Sequence, residues 1–308
     1  MTTALISHPA CVRHDMGNGH PECPQRLAAI SDQLIASGLD PFLVHVDAPE
    51  ATLQEMARVH PAHHVMEVLE SAPDSGYVAL DPDTLMNPHT PQAALHAAGA
   101  VIKAVDMVVN GQADNAFCSV RPPGHHACAS QPMGFCFFNN VAVGVRHAQT
   151  AYGLKRIAII DFDVHHGNGT ENVFAGDKSV LMCSFFQHPF YPGSGAQPAG
   201  DNMINTPVPA GTGGETIREI VEYSWLPALE RFKPQMIFIS AGFDAHREDD
   251  LGQLRLVEGD YAWMTVQLRD IARRYCNGRM VSVLEGGYNL SALGRSVAAH
   301  VRVLAGLD

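Results

Sequence analysis

The sequence predicts an α/β fold, a single domain with a mainly parallel central sheet and helices on both of its faces. Short apolar runs rich in β-branched residues recur along all 308 residues, each with the composition of a strand buried on both faces. Stretches with apolar residues at helical spacing stand between them, and such alternation implies parallel strands joined by crossover helices. No Pro/Ser-rich linker or charge block divides the chain, so 1–308 reads as one domain; large α/β folds commonly reach this length as one unit.

In chain order, Leu5-Ile6 and Leu43–Val46 read as strands, joined by a helix from Pro24 through Leu27, Ile30 and Leu34 to Gly38. Helices are expected over 50–71 and over Pro91–Val109, the latter Ala-rich and closed by Asn110-Gly111. Asp74–Pro91 is Pro- and Asp-rich without periodicity and reads as a long surface loop of the kind that rims a site. Strand Asn115–Val120, helix Asn140–Tyr152, strand Ile157–Ile160 and strand Val180–Phe186 follow. A helix over Gly214–Phe232 leads to strand Met236–Ser240, helix 258–275 leads to strand Met280–Leu284, and an apolar helix runs to Leu307.

Polar groups gather where four of these strands end. Asn115–Val120 delivers Arg121-Pro122-Pro123-Gly124-His125-His126, a turn stiffened by Pro and Gly that carries adjacent histidines. Ile157–Ile160 runs straight into Asp161, Asp163, His165, His166 and Asn168. Strand alternation puts Asp161, Asp163 and His165 on one side if the extended form continues. Asp244 follows the strand at 236–240, and Glu285-Gly286-Gly287-Tyr288-Asn289 follows the one at 280–284. Each cluster alone could be a helix cap or a solvated turn, but ligands in parallel sheets collect beyond the carboxyl ends of the strands, and these four clusters share that edge.

The bulk numbers narrow the function. A net charge of −12 argues against a nucleic-acid binder, whose footprint would be a basic face. The N-terminal apolar run is too short for a signal peptide and no apolar stretch looks long enough to span a bilayer, so a cytoplasmic protein without a membrane partner is expected. Seven scattered cysteines without a C-x-x-C pair suggest neither a disulfide framework nor a thiolate zinc site.

Two carboxylates and an imidazole with open positions suit zinc or another divalent Lewis acid, and Asp163, His165 and Asp244 are the ligands of choice. Amide hydrolysis also needs a proton taken from water and handed to the leaving amine, a task for His126 or His125. A Tyr hydroxyl on a Gly-Gly loop, Tyr288, suits stabilisation of the oxyanion.

With these residues in view the chain resembles the zinc-dependent histone deacetylase and acetylpolyamine amidohydrolase family, in its class II branch, and hence the arginase/deacetylase-like fold. The motifs span nearly the whole chain, from Gly19-His20-Pro21-Glu22-Cys23-Pro24-Gln25-Arg26-Leu27 through Arg121–His126, Gly134–Asn139 and Asp161–Gly169 to Ala241–His246 and Glu285–Asn289. The resemblance implies zinc on Asp163, His165 and Asp244, His126 as general base and acid, His125 as its electrostatic neighbour, and Tyr288 as oxyanion donor. It implies a structural potassium or sodium ion at Asp161, Asp163, His165, Ser184 and Phe185, and a second at the carbonyls of Phe174, Asp177 and Val180. Arg26 is expected beside an internal acetate channel, and Asn168, where class I members carry Asp, as the partner of the general base. Gly134, Phe135 and Tyr191 are the implied channel walls and Leu251 the gate. An apolar gate favours acyl-lysine in proteins or peptides over acetylpolyamine or another small acylamine, although Asp249, Asp250, Asp81 and Asp83 offer acids at the rim. A catalytically silent acyl-lysine binding module is the reading from another class; the oligomeric state is left open.

Overall fold

The computed structural model describes residues 1–308. In chain order its strands are β1 (Thr3–Ser7), β2 (Leu43–Asp47), β3 (Val78–Asp81), β4 (Thr84–Met86), β5 (Asn115–Cys118), β6 (Ile157–Asp161), β7 (Val180–Gln187), β8 (Met203–Val208), β9 (Met236–Ala241) and β10 (Met280–Leu284). Eight of them form one sheet in the order β2-β1-β5-β10-β9-β6-β7-β8. Every neighbouring pair is parallel. Strands β5, β6, β7, β9 and β10 are buried at every residue, as their unbroken apolar runs require. The helices Thr90–Val109 and Asn140–Tyr152 pack on each other against the sheet, while Gln25–Ala36, Glu258–Tyr275 and Leu290–Leu304 form a second packed group.

The structure departs from the sequence expectations in four places. Strand β8 was not foreseen: Met203–Val208 mixes Asn, Thr and Pro with apolar residues, and Pro207 is tolerated because β8 is the sheet edge. The stretch expected as a loop before Pro91 holds an antiparallel hairpin, β3 with β4. The helices expected over 50–71 are Leu53–Met56, opened by a Thr52–Glu55 capping box, and Ala62–Glu70, divided where Pro61 restricts the residue before it and has no N–H to donate. The helix over 214–232 contains a π turn at Val221–Trp225, next to Pro227, whose missing N–H breaks the regular ladder. Helix Thr90–Val109, with 20 residues, is long and apolar enough by composition to cross a membrane, against expectation. Most of that helix is buried in this fold, so its hydrophobicity serves the core.

The order of strands fixes where chemistry can gather. β5, β10, β9 and β6 are consecutive neighbours, and since all are parallel their C-terminal ends lie side by side. The His125-His126 turn, the Tyr288 loop, Asp244 and the Asp161–His165 segment are therefore delivered to one place.

Candidate active site and metal centre

Asp163, His165 and Asp244 present ligand atoms within 4.8 Å of one another, all three residues buried. His165 Nδ1 lies 3.0 Å from Asp163 Oδ1 and 3.2 Å from Asp244 Oδ2. The backbone holds the carboxylates from behind: Gly286 N–H donates to Asp163 Oδ2 at 2.9 Å and Val164 N–H to Asp244 Oδ1 at 2.9 Å. A Cβ on Gly286 would stand 2.0 Å from Asp244 Oδ2, so only glycine lets the β10 loop approach this closely. Asp244 Oδ2 is buried without a hydrogen-bond partner. Burial, and then the charge of Asp163, push the Asp244 carboxyl up to about 7, while the two carboxylates outweigh burial and lift the His165 imidazole to about 10. The cluster is short of positive charge, and its carboxylate-imidazole donors fit a zinc-like divalent ion.

Beside it stands the histidine pair. His125 Nδ1 lies 3.0 Å from Asp161 Oδ2; burial opposes its charge, but Asp163 and Asp161 prevail and hold the imidazolium well above the usual range. Glu285 accepts from the N–H groups of Gly124 at 2.7 Å and His125 at 3.1 Å, fixing the turn that carries the pair. His126 Nδ1 is 2.7 Å from Asn168 Oδ1, an acceptor that fixes the proton on Nδ1 and leaves Nε2 as the free base. Burial first, then the charges of His125 and His165, hold the His126 pKa well below the ordinary imidazole range. Gly134, at φ +56°, is required here, since a Cβ would approach His126 Cδ2 to 2.5 Å.

Tyr288 faces the same space, its ring edge-on to Phe135 with centroids 5.8 Å apart. Burial raises the phenol well above 10, so the hydroxyl stays a donor at neutral pH. Its loop is clamped from two sides. Beneath, Arg26 donates from Nε to the Gly287 carbonyl at 2.7 Å and from Nη2 to that of Glu285, and its guanidinium lies 4.9 Å from the Tyr288 ring centroid. From the gate, Asp249 Oδ2 accepts from the N–H groups of Tyr288 at 2.6 Å and Asn289 at 2.9 Å, while Oδ1 accepts from Leu251 N–H at 3.0 Å.

These groups floor a cavity of about 250 Å³ lined by Phe135, Gly134, Phe190, Tyr191, Leu251 and Tyr288, with Asp83 and Asp250 among its lining acids. Tyr191 stands edge-on to His126 at 5.2 Å between centroids and Phe190 stacks on His165 at 5.5 Å. All the residues expected at the reaction centre and the channel wall thus come together.

The residues expected near monovalent cations divide. Ser184 is opposite Asp161 in the β6–β7 register and Phe185 follows it, next to the centre. Phe174, Asp177 and Val180 lie at the other edge of the sheet, where Val180 pairs with Ile157 at the start of β6, and their carbonyls converge on the side chain of Asn202. Phe190 joins Tyr191 as a wall, as the loop of aromatics between Pro and Gly at His188–Gly195 leads one to expect. Sequence reasoning took Asp249 for a solvated rim acid; the residue is buried, and nothing local in the sequence separates the two cases.

Comparisons with known proteins agree with this geometry. The family described as "Histone deacetylase domain" matches residues 20–304. The chain is similar to Histone deacetylase 14, chloroplastic, of Arabidopsis thaliana, at 39% identity covering 99% of this chain and 77% of that one. It is also similar to the histone deacetylase-like amidohydrolase of Pseudomonas aeruginosa, at 38% identity covering 94% and 78%. Among solved structures, the crystal structure of the HDA15 HD domain superimposes with a TM-score of 0.94 at 37% identity, covering 99% of this chain and 90% of that one.

Proposed function

This chain belongs to the histone deacetylase family and is a hydrolase of amides, and we propose that it is a zinc-dependent, class II-like deacylase acting on acyl-lysine side chains of proteins or peptides. The observation that carries the proposal is the joint aim of His126 and Tyr288 into one cavity floored by His165 of the Asp163–His165–Asp244 cluster. Asp163, His165 and Asp244 would hold the zinc ion. Bound there, zinc supplies the Lewis acidity that acidifies water and polarises an amide carbonyl.

The rest falls to the chain's own groups. His126 takes the water proton at Nε2 and returns it to the leaving amine, with Asn168 holding the tautomer through Nδ1. Asn168 is neutral, so it stabilises the imidazolium less than a carboxylate would, and the His125 charge beside it works in the same direction. Tyr288 donates its hydroxyl to the carbonyl oxygen as that oxygen becomes negative. Phe135, Phe190 and Tyr191 hold the methylene chain of the substrate between apolar faces. A potassium or sodium ion at Asp161, Ser184 and Phe185 is part of the proposal, supported by the register that sets Ser184 against Asp161.

A specific observation favours a second substrate, an acetylpolyamine or other small acylamine: Asp83 and Asp250 line the same cavity and can meet a cation. Zinc-loaded protein assayed on acetyl-lysine peptides, longer acyl-lysine peptides, N-acetylputrescine and N-acetylspermidine separates the two. Highest kcat/KM on the peptides is the expected result, and Leu251→Glu is expected to move preference toward the small cations. Highest kcat/KM on the polyamines in the unmodified protein would overturn the acyl-lysine reading.

A further inference from the structure

We infer that this chain has replaced the second monovalent cation of its fold with a side-chain amide, Asn202, and binds no ion at that position. The inference concerns the far edge of the sheet and does not depend on the substrate or mechanism proposed above. The carbonyls of Phe174, Asp177 and Val180 point at one spot, as they would around a cation, but Asn202 Nδ2 fills it at 2.8, 3.1 and 3.0 Å respectively. Those are N–H···O hydrogen-bond lengths, and an atom that near all three oxygens stands where a shared ion would have to be.

The orientation of the amide is fixed from its other end. Asn202 Oδ1 accepts from Gly176 N–H at 2.8 Å, so the carboxamide cannot turn its oxygen inward without losing that bond. The seat is built for it: a Cβ on Gly200 would stand 2.6 Å from Gly176 N and 2.8 Å from Asn202 Oδ1, so glycine at 200 makes room for this pair. The Asn202 carbonyl in turn accepts from Met182 N–H at 3.0 Å, tying the residue to β7.

The amide does the electrostatic work of an ion. Phe174 ends the helix Asn168–Phe174, whose last carbonyls lack helical partners, and Asp177 and Val180 shape the turn into β7. The Phe174 and Asp177 oxygens each already accept a backbone bond, from Asp177 N–H and Val180 N–H, at 3.0 Å each. Their remaining lone pairs, with that of Val180, require a shared positive partner, and the two amide hydrogens, one of them shared, supply it without cation uptake. The helix fixed in this way is the one that begins at Asn168, the partner of His126.

Crystals of the unmodified protein and of Asn202→Ala, both soaked in thallium(I) acetate after growth without potassium or sodium, test the inference through anomalous scattering. The expected result is no peak among the Phe174, Asp177 and Val180 carbonyls in the unmodified protein and a peak there in Asn202→Ala. A peak at that position in the unmodified protein overturns the inference, and so does its absence from the variant. Should the variant not fold, the count of thallium ions bound by the unmodified protein in equilibrium dialysis decides. One or none sustains the inference and two overturn it.

Discussion

Two regions of this molecule focus oxygen atoms on a point, and they end in opposite states. At the C-terminal edge of the sheet, Asp163 and Asp244 face each other across His165, which is 3.2 Å from Asp244 Oδ2 without making a hydrogen bond to it. At the N-terminal edge, three carbonyls meet the Asn202 amide and none is left wanting. The difference teaches that converging acceptors do not by themselves make an ion site; the deciding quantity is whether the chain supplies its own positive partner. The first region is open to a metal ion, and in the second the chain's own amide takes the acceptors.

The largest effect should come from the first region. Chelation of the metal, or Asp244→Asn, is expected to reduce turnover below detection, with zinc restoring the chelated protein only. A zinc ion held by the folded cluster and not by the unfolded chain should, at about a thousandfold over its dissociation constant, raise stability by about 4 kcal/mol, read from denaturation midpoints. Activity that survived chelation would remove the contrast between the regions. Next in size is Tyr288→Phe, expected to lower kcat about 10²- to 10³-fold while leaving zinc affinity unchanged.

Asp249 sharpens the same contrast, for it is a carboxylate beside the centre that is already satisfied, by three N–H groups. Asp249→Ala frees the Tyr288 loop, and a displacement near 1 Å at a reacting group costs on the order of 10²-fold, so kcat should fall about 10- to 100-fold. Asp249→Asn, which keeps an acceptor, should recover most of it. In a Tyr288→Phe background the alanine change should have little further effect; equal losses in both backgrounds would mean Asp249 does not act through Tyr288.

A milder change tests the histidine pair. Asn168→Asp places a carboxylate on His126 Nδ1 and favours the imidazolium, so the His126 pKa must rise from its depressed position. The neutral base is then lost at higher pH as pH falls, and the acid limb of the kcat/KM profile should move upward. An unmoved limb would show that another group sets it.

The catalytic edge was legible in the sequence because its residues follow β-branched runs that could only be buried strands, and parallel topology then forces their ends together. Asp163, His165 and Tyr288 needed no tertiary information beyond that, whereas the choice of His126 over His125 came from the family resemblance. The rest required partners from distant chain segments. Asp249 looks like its exposed neighbour Asp250 until the Tyr288 loop folds over it. Asn202 lies in a Gly/Asp/Asn stretch that reads as a turn, and β8 beyond it has no apolar periodicity because an edge strand needs none. The place where the helices of 50–71 divide is readable at Pro61, since proline disfavours helix at the residue before it.

The smallest effect, and the one that separates hydrogen bonding from ion binding, belongs to Asn202. In a buffer whose only monovalent cation is tetramethylammonium, Asn202→Ala leaves three carbonyls short of a donor and should lower unfolding free energy by about 1–3 kcal/mol. Asn202→Asp should lose more, since a carboxylate facing those carbonyls adds repulsion. Potassium should then reverse the order of response: Asp gains a full ligand for the ion and recovers most, Ala recovers part, and the unmodified protein gains only what the position beside Ser184 contributes. Subtracting the unmodified protein's response isolates the second position. If that difference were zero for both variants, the three carbonyls would form only a hydrogen-bonded turn with no capacity for an ion, and the two regions would differ in kind and not merely in what fills them.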